Sequence, residues 1–120
     1  MSDVVSLHVP LTGETRAMIG EPQLRTMKQT AILVNTSRGG VIDQPALVRA
    51  LHEGTIAAAG LDVAIVEPIP PDDPLLSAPN CVLLPHIGSA THATRALMAS
   101  MAVDNCLAGL RGDPLPHPVT

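Results

Sequence analysis

Arg38, Glu67 and His86 are the side chains in this sequence whose types best suit bond-making chemistry. An arginine is permanently charged and planar. Arg38 could therefore hold a carboxylate and polarise the carbonyl beside it through paired hydrogen bonds. The next two residues, Gly39 and Gly40, let the backbone turn sharply and approach a ligand closely. Histidine titrates near neutrality, so His86 could give a proton to an oxygen as it becomes a hydroxyl. Glu67 could hold the second imidazole nitrogen, fix the ring's orientation and favour its protonated form. Gly88 and Ser89 offer backbone N–H groups that suit an anion or an amide. Each of the three also has a plainer use: Arg38 as a surface ion-pair partner, Glu67 before a proline as a solvated loop residue, His86 as a histidine satisfied by backbone. His52, His92 and His117 have no comparable setting and read as surface residues. The histidines lack helical ligand spacing and the two cysteines, Cys81 and Cys106, stand apart, so the pattern does not spell a zinc site.

The elements that must position these groups alternate along the chain. Strand-like apolar runs occupy 4–10 (VVSLHVP), 31–35 (AILVN), 56–63 (IAAAGLDV) and 81–85 (CVLLP). Helical patterns occupy 22–28 (PQLRTMK) and 44–53 (QPALVRALHE), each with proline in its first turn, and Gly54 follows the second. The strands are nearly continuous apolar runs, the pattern of a parallel sheet covered by helices on both faces. The alternation predicts an α/β doubly wound arrangement. Ala57 to Gly60 have poor strand propensity, but small side chains there permit close approach to the sheet. The proline-rich 67–79 (EPIPPDDPLLSAP) reads as an ordered surface loop. A long helix is expected over 90–110, with Met98, Ala102 and Cys106 plus Leu97 and Met101 as a core-facing stripe, ended by Gly112 and Pro114.

In such a sheet, ligands bind beyond the carboxyl ends of the strands. The polar residues collect there: Asn35 to Gly40 after the second strand, Asp62 and Glu67 after the third, His86 to Ser89 after the fourth. Composition narrows the field further. The chain has 120 residues, no Phe, Tyr or Trp, and a formal net charge of -4. Stacking of bases on aromatic rings is impossible and no basic footprint exists, which argues against a nucleic-acid partner. No apolar run approaches the roughly 20 residues of a membrane span, and no secretory signal opens the chain. The cysteines read as two buried or half-buried reduced thiols. A cytoplasmic chain is the expectation.

Four strings, VSLHVPLTGET, ILVNTSRGGVID, IAAAGLDVAIVEP and LLPHIGSAT, resemble successive signature blocks of the D-isomer-specific 2-hydroxyacid dehydrogenases, in that family's order and spacing. The run NCVLLPHIGSATHATR…NCLAGLRGDPLP is most similar to the glyoxylate reductase/hydroxypyruvate reductase branch. The resemblance implies a Rossmann-type fold and reduction of a small 2-oxo acid to a D-2-hydroxy acid with NAD or NADP, NADPH being slightly favoured. It makes Arg38 the substrate-binding arginine, Glu67 the partner of the histidine and His86 the acid/base. It places Asp62 beside the nicotinamide end of the cofactor. Val9, Thr36, Ser37, Arg38, His86, Ile87, Gly88 and Ser89 match cofactor-lining positions.

The departure from the family is equally plain. No G-x-G-x-x-G occurs, nor the acidic residue that would follow it to hold the adenosine ribose. The resemblance therefore implies the second half of an NAD(P)-binding domain over 1–89, and over 90–120 the helix and tail that return to a substrate domain. It further implies a homodimer for the complete enzyme. Three readings follow: a segment of an active reductase, an inactive chain that binds a cofactor or partner, or a half that associates to rebuild the sheet. Turnover by these 120 residues alone is not expected.

Overall fold

The computed structural model describes residues 2–119. Four strands, β1 (Val4–Leu7), β2 (Ile32–Asn35), β3 (Ala58–Leu61) and β4 (Cys81–Leu83), form one sheet in sequence order with every pair parallel. Helices α1 (Glu21–Thr26) and α2 (Gln44–His52) lie in the first two connections. A third helix, α3 (His92–Arg111), follows β4. The chain divides into two compact units, one ending at His86 and one beginning at Ile87.

Local chemistry sets the element ends. β1 stops at Leu7, short of the expected limit at Pro10, whose ring removes the N–H a strand needs. In α1 the Gly20 N–H donates to Gln23 Oε1 at 3.1 Å, and Pro22 occupies a first-turn position that needs no donor. Asp43 caps α2, its Oδ1 accepting from the Ala46 N–H at 3.1 Å, and Gly54 follows with φ +66°. The 67–79 segment is not wholly irregular. Asp73 accepts from the Leu75 N–H at 2.9 Å and starts a short 3-10 turn, Pro74–Ser77, whose Leu75 is buried.

The register puts Val5, Leu33, Ala59 and Cys81 in one row, and Leu7, Asn35, Leu61 and Leu83 in the next. All of these but Asn35 pack with Leu24 of α1, with Ala46, Leu47, Ala50 and Leu51 of α2, and with Leu75. Fully burying a leucine or isoleucine contributes about 1.5–3 kcal/mol, so aliphatic side chains alone build this core. The opposite face lacks the cover that unbroken apolar strands call for, as half of a doubly wound sheet would. Its rows run Val4–Ile32–Ala58 and Ser6–Val34–Gly60–Val82, with Val4 55%, Ile32 40% and Val82 63% exposed. Both helices of this unit pack against the first face.

A correction concerns α3. Leu97, Met98, Met101, Ala102 and Cys106 were expected to face a core, yet no residue of α3 is buried. Val103, Leu107 and Leu110 are exposed as well. Apolar residues are spread around the helix, so no single stripe is defined. The helix ends as expected at Gly112, with φ +74°, and Asn105 clasps the tail through both backbone groups of His117. Cys81 is half-buried but Cys106 is exposed, and both are free thiols; burial pushes the Cys81 thiol upward. Among the described residues no helix is long and apolar enough to cross a membrane.

Candidate active site

Because all four strands run parallel, the segments after β1, β2, β3 and β4 emerge at one edge of the sheet. After β2, Asn35 shapes the turn. It is buried, its Oδ1 accepts from the Ser37 N–H at 3.0 Å and the Ser37 hydroxyl at 2.8 Å, and its Nδ2 donates to the Arg38 carbonyl at 2.9 Å. The turn carries Arg38 to the surface, where Nη1 donates to the Ser37 carbonyl at 2.7 Å. The next residue, Gly39, sits against the Ala64–Ile65 peptide. A Cβ there would overlap the Ala64 carbonyl, so only glycine fits.

After β3 the chain continues the ladder for one bond, the Asp62 N–H donating to the Asn35 carbonyl at 2.9 Å. Asp62 itself is buried. Glu67 follows on an exposed segment and is held at both carboxylate oxygens. Oε1 accepts from the Ala64 N–H at 2.9 Å, and Oε2 meets His86 Nδ1 at 2.6 Å. The His86 contact first, then the Ala64 N–H, holds the Glu67 carboxyl below its ordinary range, with a smaller contribution from Arg38. An ionised carboxylate only accepts, so the proton in this contact sits on Nδ1 and His86 donates. Nε2 is then the nitrogen left for proton exchange. His86 has φ +55°, a conformation uncommon for a side-chain-bearing residue but one that histidine adopts more readily than most.

The structure brings these residues together in two cavities. One, of about 590 Å³, is lined by Asp62, Ala64, Glu67, Pro68, Ile69, Leu76, Leu83, Leu84, Pro85 and His86. That volume lies within the range of small-molecule sites. The other, of about 570 Å³, is lined by His8, Val9, Pro10, Leu11, Ser37 and Arg38. Glu67 and His86 are thus paired directly, Asp62 shares their cavity, and Val9, Ser37 and Arg38 share the other. Thr36 is exposed at the end of β2 and lines neither. Ile87, Gly88 and Ser89 are exposed and lead into α3 in the second unit.

Asn35 stands among the polar residues read after the second strand, and Asn at a strand end before Thr-Ser is a turn former. Three contributors escape a reading of the sequence for reactive groups. His8 lines the second cavity and its Nε2 lies 2.8 Å from the Ser6 hydroxyl; its place two residues before a proline gave no hint. Gln44 and Asp73 meet across 29 positions, a pairing no local pattern reveals.

A four-stranded parallel sheet with its polar groups gathered at one carboxyl edge is the architecture of Rossmann-type nucleotide-binding domains. Comparison narrows the class: residues 1–88 match the D-isomer specific 2-hydroxyacid dehydrogenase, NAD binding domain. The chain belongs to that family. It is 65% identical over 116 residues to the glyoxylate reductase of Korarchaeum cryptofilum, covering 97% of this chain and 35% of that protein. It is 58% identical over 111 residues to glyoxylate/hydroxypyruvate reductase B of Pectobacterium atrosepticum, covering 92% and 35%. The crystal structure of an NADPH-dependent glyoxylate/hydroxypyruvate reductase from Sinorhizobium meliloti, in complex with NADP and malonate, superimposes with a TM-score of 0.91. That structure is 41% identical, and the match covers 98% of this chain and 37% of that one. The chain spans about a third of the length of the curated relatives it matches.

Proposed function

We propose that this chain carries the catalytic half of an NAD(P)H-dependent reductase that converts a small 2-oxo acid, of the glyoxylate or hydroxypyruvate kind, to a D-2-hydroxy acid. The observation that carries the reading is the 2.6 Å contact between His86 Nδ1 and Glu67 Oε2 at the carboxyl edge of a parallel sheet. The complete protein would act in the cytoplasm as a homodimer.

The surroundings fit the nicotinamide end of such a cofactor. The first cavity is walled by leucine, isoleucine and proline with one buried carboxylate, Asp62. That setting suits a flat ring and its carboxamide better than a pyrophosphate. Val9, Thr36, Ser37 and Arg38, with the turn from His86 through Ile87 and Gly88 to Ser89, would line its path. Those residues would hold the nicotinamide end of NAD(P)H, whose chemistry there would be hydride donation to the substrate carbonyl carbon.

The chain's own residues do the rest. Arg38 would exchange its contact with the Ser37 carbonyl for paired hydrogen bonds to the substrate carboxylate and adjoining carbonyl, fixing the acid and polarising the C=O. His86 would deliver a proton from Nε2 to the carbonyl oxygen as negative charge develops there. Glu67 keeps the proton of the ring's other nitrogen on Nδ1 and steadies the positive charge before that transfer.

The test uses a chimera in which this chain replaces the matching 116 residues of the Korarchaeum cryptofilum reductase. It should oxidise NADPH or NADH with glyoxylate or hydroxypyruvate. Arg38→Lys in that chimera should lower kcat/KM for the 2-oxo acid about a hundredfold. An ammonium cannot supply the planar pair of bonds, and a charged hydrogen bond contributes about 1.5–3 kcal/mol. Kinetics unchanged by Arg38→Lys would remove the arginine from its assigned place.

A further inference from the structure

The segment that carries Glu67 has little apolar anchorage. Ile65 is 52% and Val66 55% exposed, so hydrophobic burial does not fix it. Polar ties do, and they run from Asp73 through Gln44 to the backbone beside Glu67. The Asp73 carboxylate, already held by the Leu75 N–H at 2.9 Å, accepts from Gln44 Nε2 at both oxygens, at 3.1 and 3.0 Å. Gln44 Oε1 in turn accepts from the Ile65 N–H at 3.2 Å. One residue earlier, across the Ala64 Cα, the Ala64 N–H of the preceding peptide donates to Glu67 Oε1. Gly39 closes against the same Ala64–Ile65 peptide from the Arg38 turn.

Both side chains of the Gln44–Asp73 pair are independently fixed. Gln44 opens α2, whose Ala46 and Leu47 are in the core, and Asp73 starts the 3-10 turn anchored by buried Leu75. Both side chains are half-buried, where a hydrogen bond competes less with water than at the surface. A glutamine suits the position because its amide both donates and accepts.

We propose that Gln44, anchored by Asp73, is a positioning residue that fixes the Ala64–Ile65 peptide and through it aims the Glu67 carboxylate at His86. The proposal rests on reading Glu67–His86 as the acid–base pair, but its test needs neither substrate nor cofactor. In the 120-residue chain, Gln44→Met removes both bonds without adding charge. Hydrogen exchange at the Ala64 amide should quicken about tenfold or more, while Leu33 and Leu61 in the core keep their protection. The Glu67 carboxyl, followed by carbon NMR, should titrate at higher pH, because it has lost an aligned donor. A purely structural role would lower Tm without moving that titration. The double variant Gln44→Glu with Asp73→Asn rebuilds the chain of bonds and should restore both readings. In it the carboxylate introduced at position 44 accepts from the Ile65 N–H and from the amide introduced at position 73. If Gln44→Met does not fold, Asp73→Ala unties the same glutamine and should shift both in the same direction. Unchanged Ala64 exchange and an unchanged Glu67 titration in a folded variant would overturn the proposal. Turnover of the chimera bears on the reductase reading alone, so the two can fail separately.

Discussion

His86 and Glu67 meet at 2.6 Å with 45% and 37% of their side chains open to solvent, and that openness decides what the pair is for. Ion pairs so exposed contribute about 0–1 kcal/mol to stability, so the contact orients a ring more than it holds a fold. Its electrostatic mark is nevertheless clear, because His86 and the Ala64 N–H keep the Glu67 carboxyl below its ordinary range. A carboxyl whose folded value is depressed stabilises the fold above its unfolded value, and that contribution fades as pH falls through the folded one. His86→Ala should therefore raise the Glu67 titration midpoint toward that of a free glutamate and flatten the acid limb of the stability profile. Carbon NMR of the carboxyl, with thermal unfolding across the acid range, reads both; a Glu67 midpoint that stays low in His86→Ala would assign the depression to Ala64 instead. At this scale the sequence made the Glu67–His86 pairing legible and was silent about what surrounds it. Arg38, Glu67 and His86 stood out by type and setting, whereas the Gln44 amide bonds to Ile65 and Asp73, both distant from it in sequence.

Elements carry these side chains through a few tight junctions. The Arg38 turn packs on the loop after β3 only because Gly39 lacks a side chain. Gly39→Ala would press a methyl group into the Ala64 backbone, which cannot swing aside as a long side chain would. It should cost about 1–3 kcal/mol, a Tm drop of several degrees. It should also loosen the Ala64 N–H to Glu67 bond, visible as faster exchange at that amide. Unaltered Tm and exchange would show that the junction yields freely. The order and type of the elements were legible: proline starts and glycine stops marked α2, and unbroken apolar runs marked the parallel strands. Boundaries were less so. β3 is confined to Ala58–Leu61, and the 3-10 turn after Asp73 is too short to show periodicity. The α3 stripe failed because an i+4 row can be drawn through any helix whose apolar residues are spread all round it.

Across the whole molecule, one sheet face is packed and the other exposes Val4, Ile32 and Val82. Continuous apolar strands predict two buried faces, and a single chain's sequence says that a surface wants cover without saying where the cover resides. The relatives are about three times as long as the matched segment, so the catalytic account is best tested where the other two-thirds are supplied. The decisive measurement is kcat/KM for NADPH and NADH oxidation with glyoxylate and hydroxypyruvate, by the Korarchaeum cryptofilum chimera with and without His86→Ala. The account predicts turnover that falls about 10²–10⁴-fold on losing the general acid, with folding retained. A folded chimera that oxidises neither nucleotide, or one whose turnover survives His86→Ala within about twofold, would contradict it.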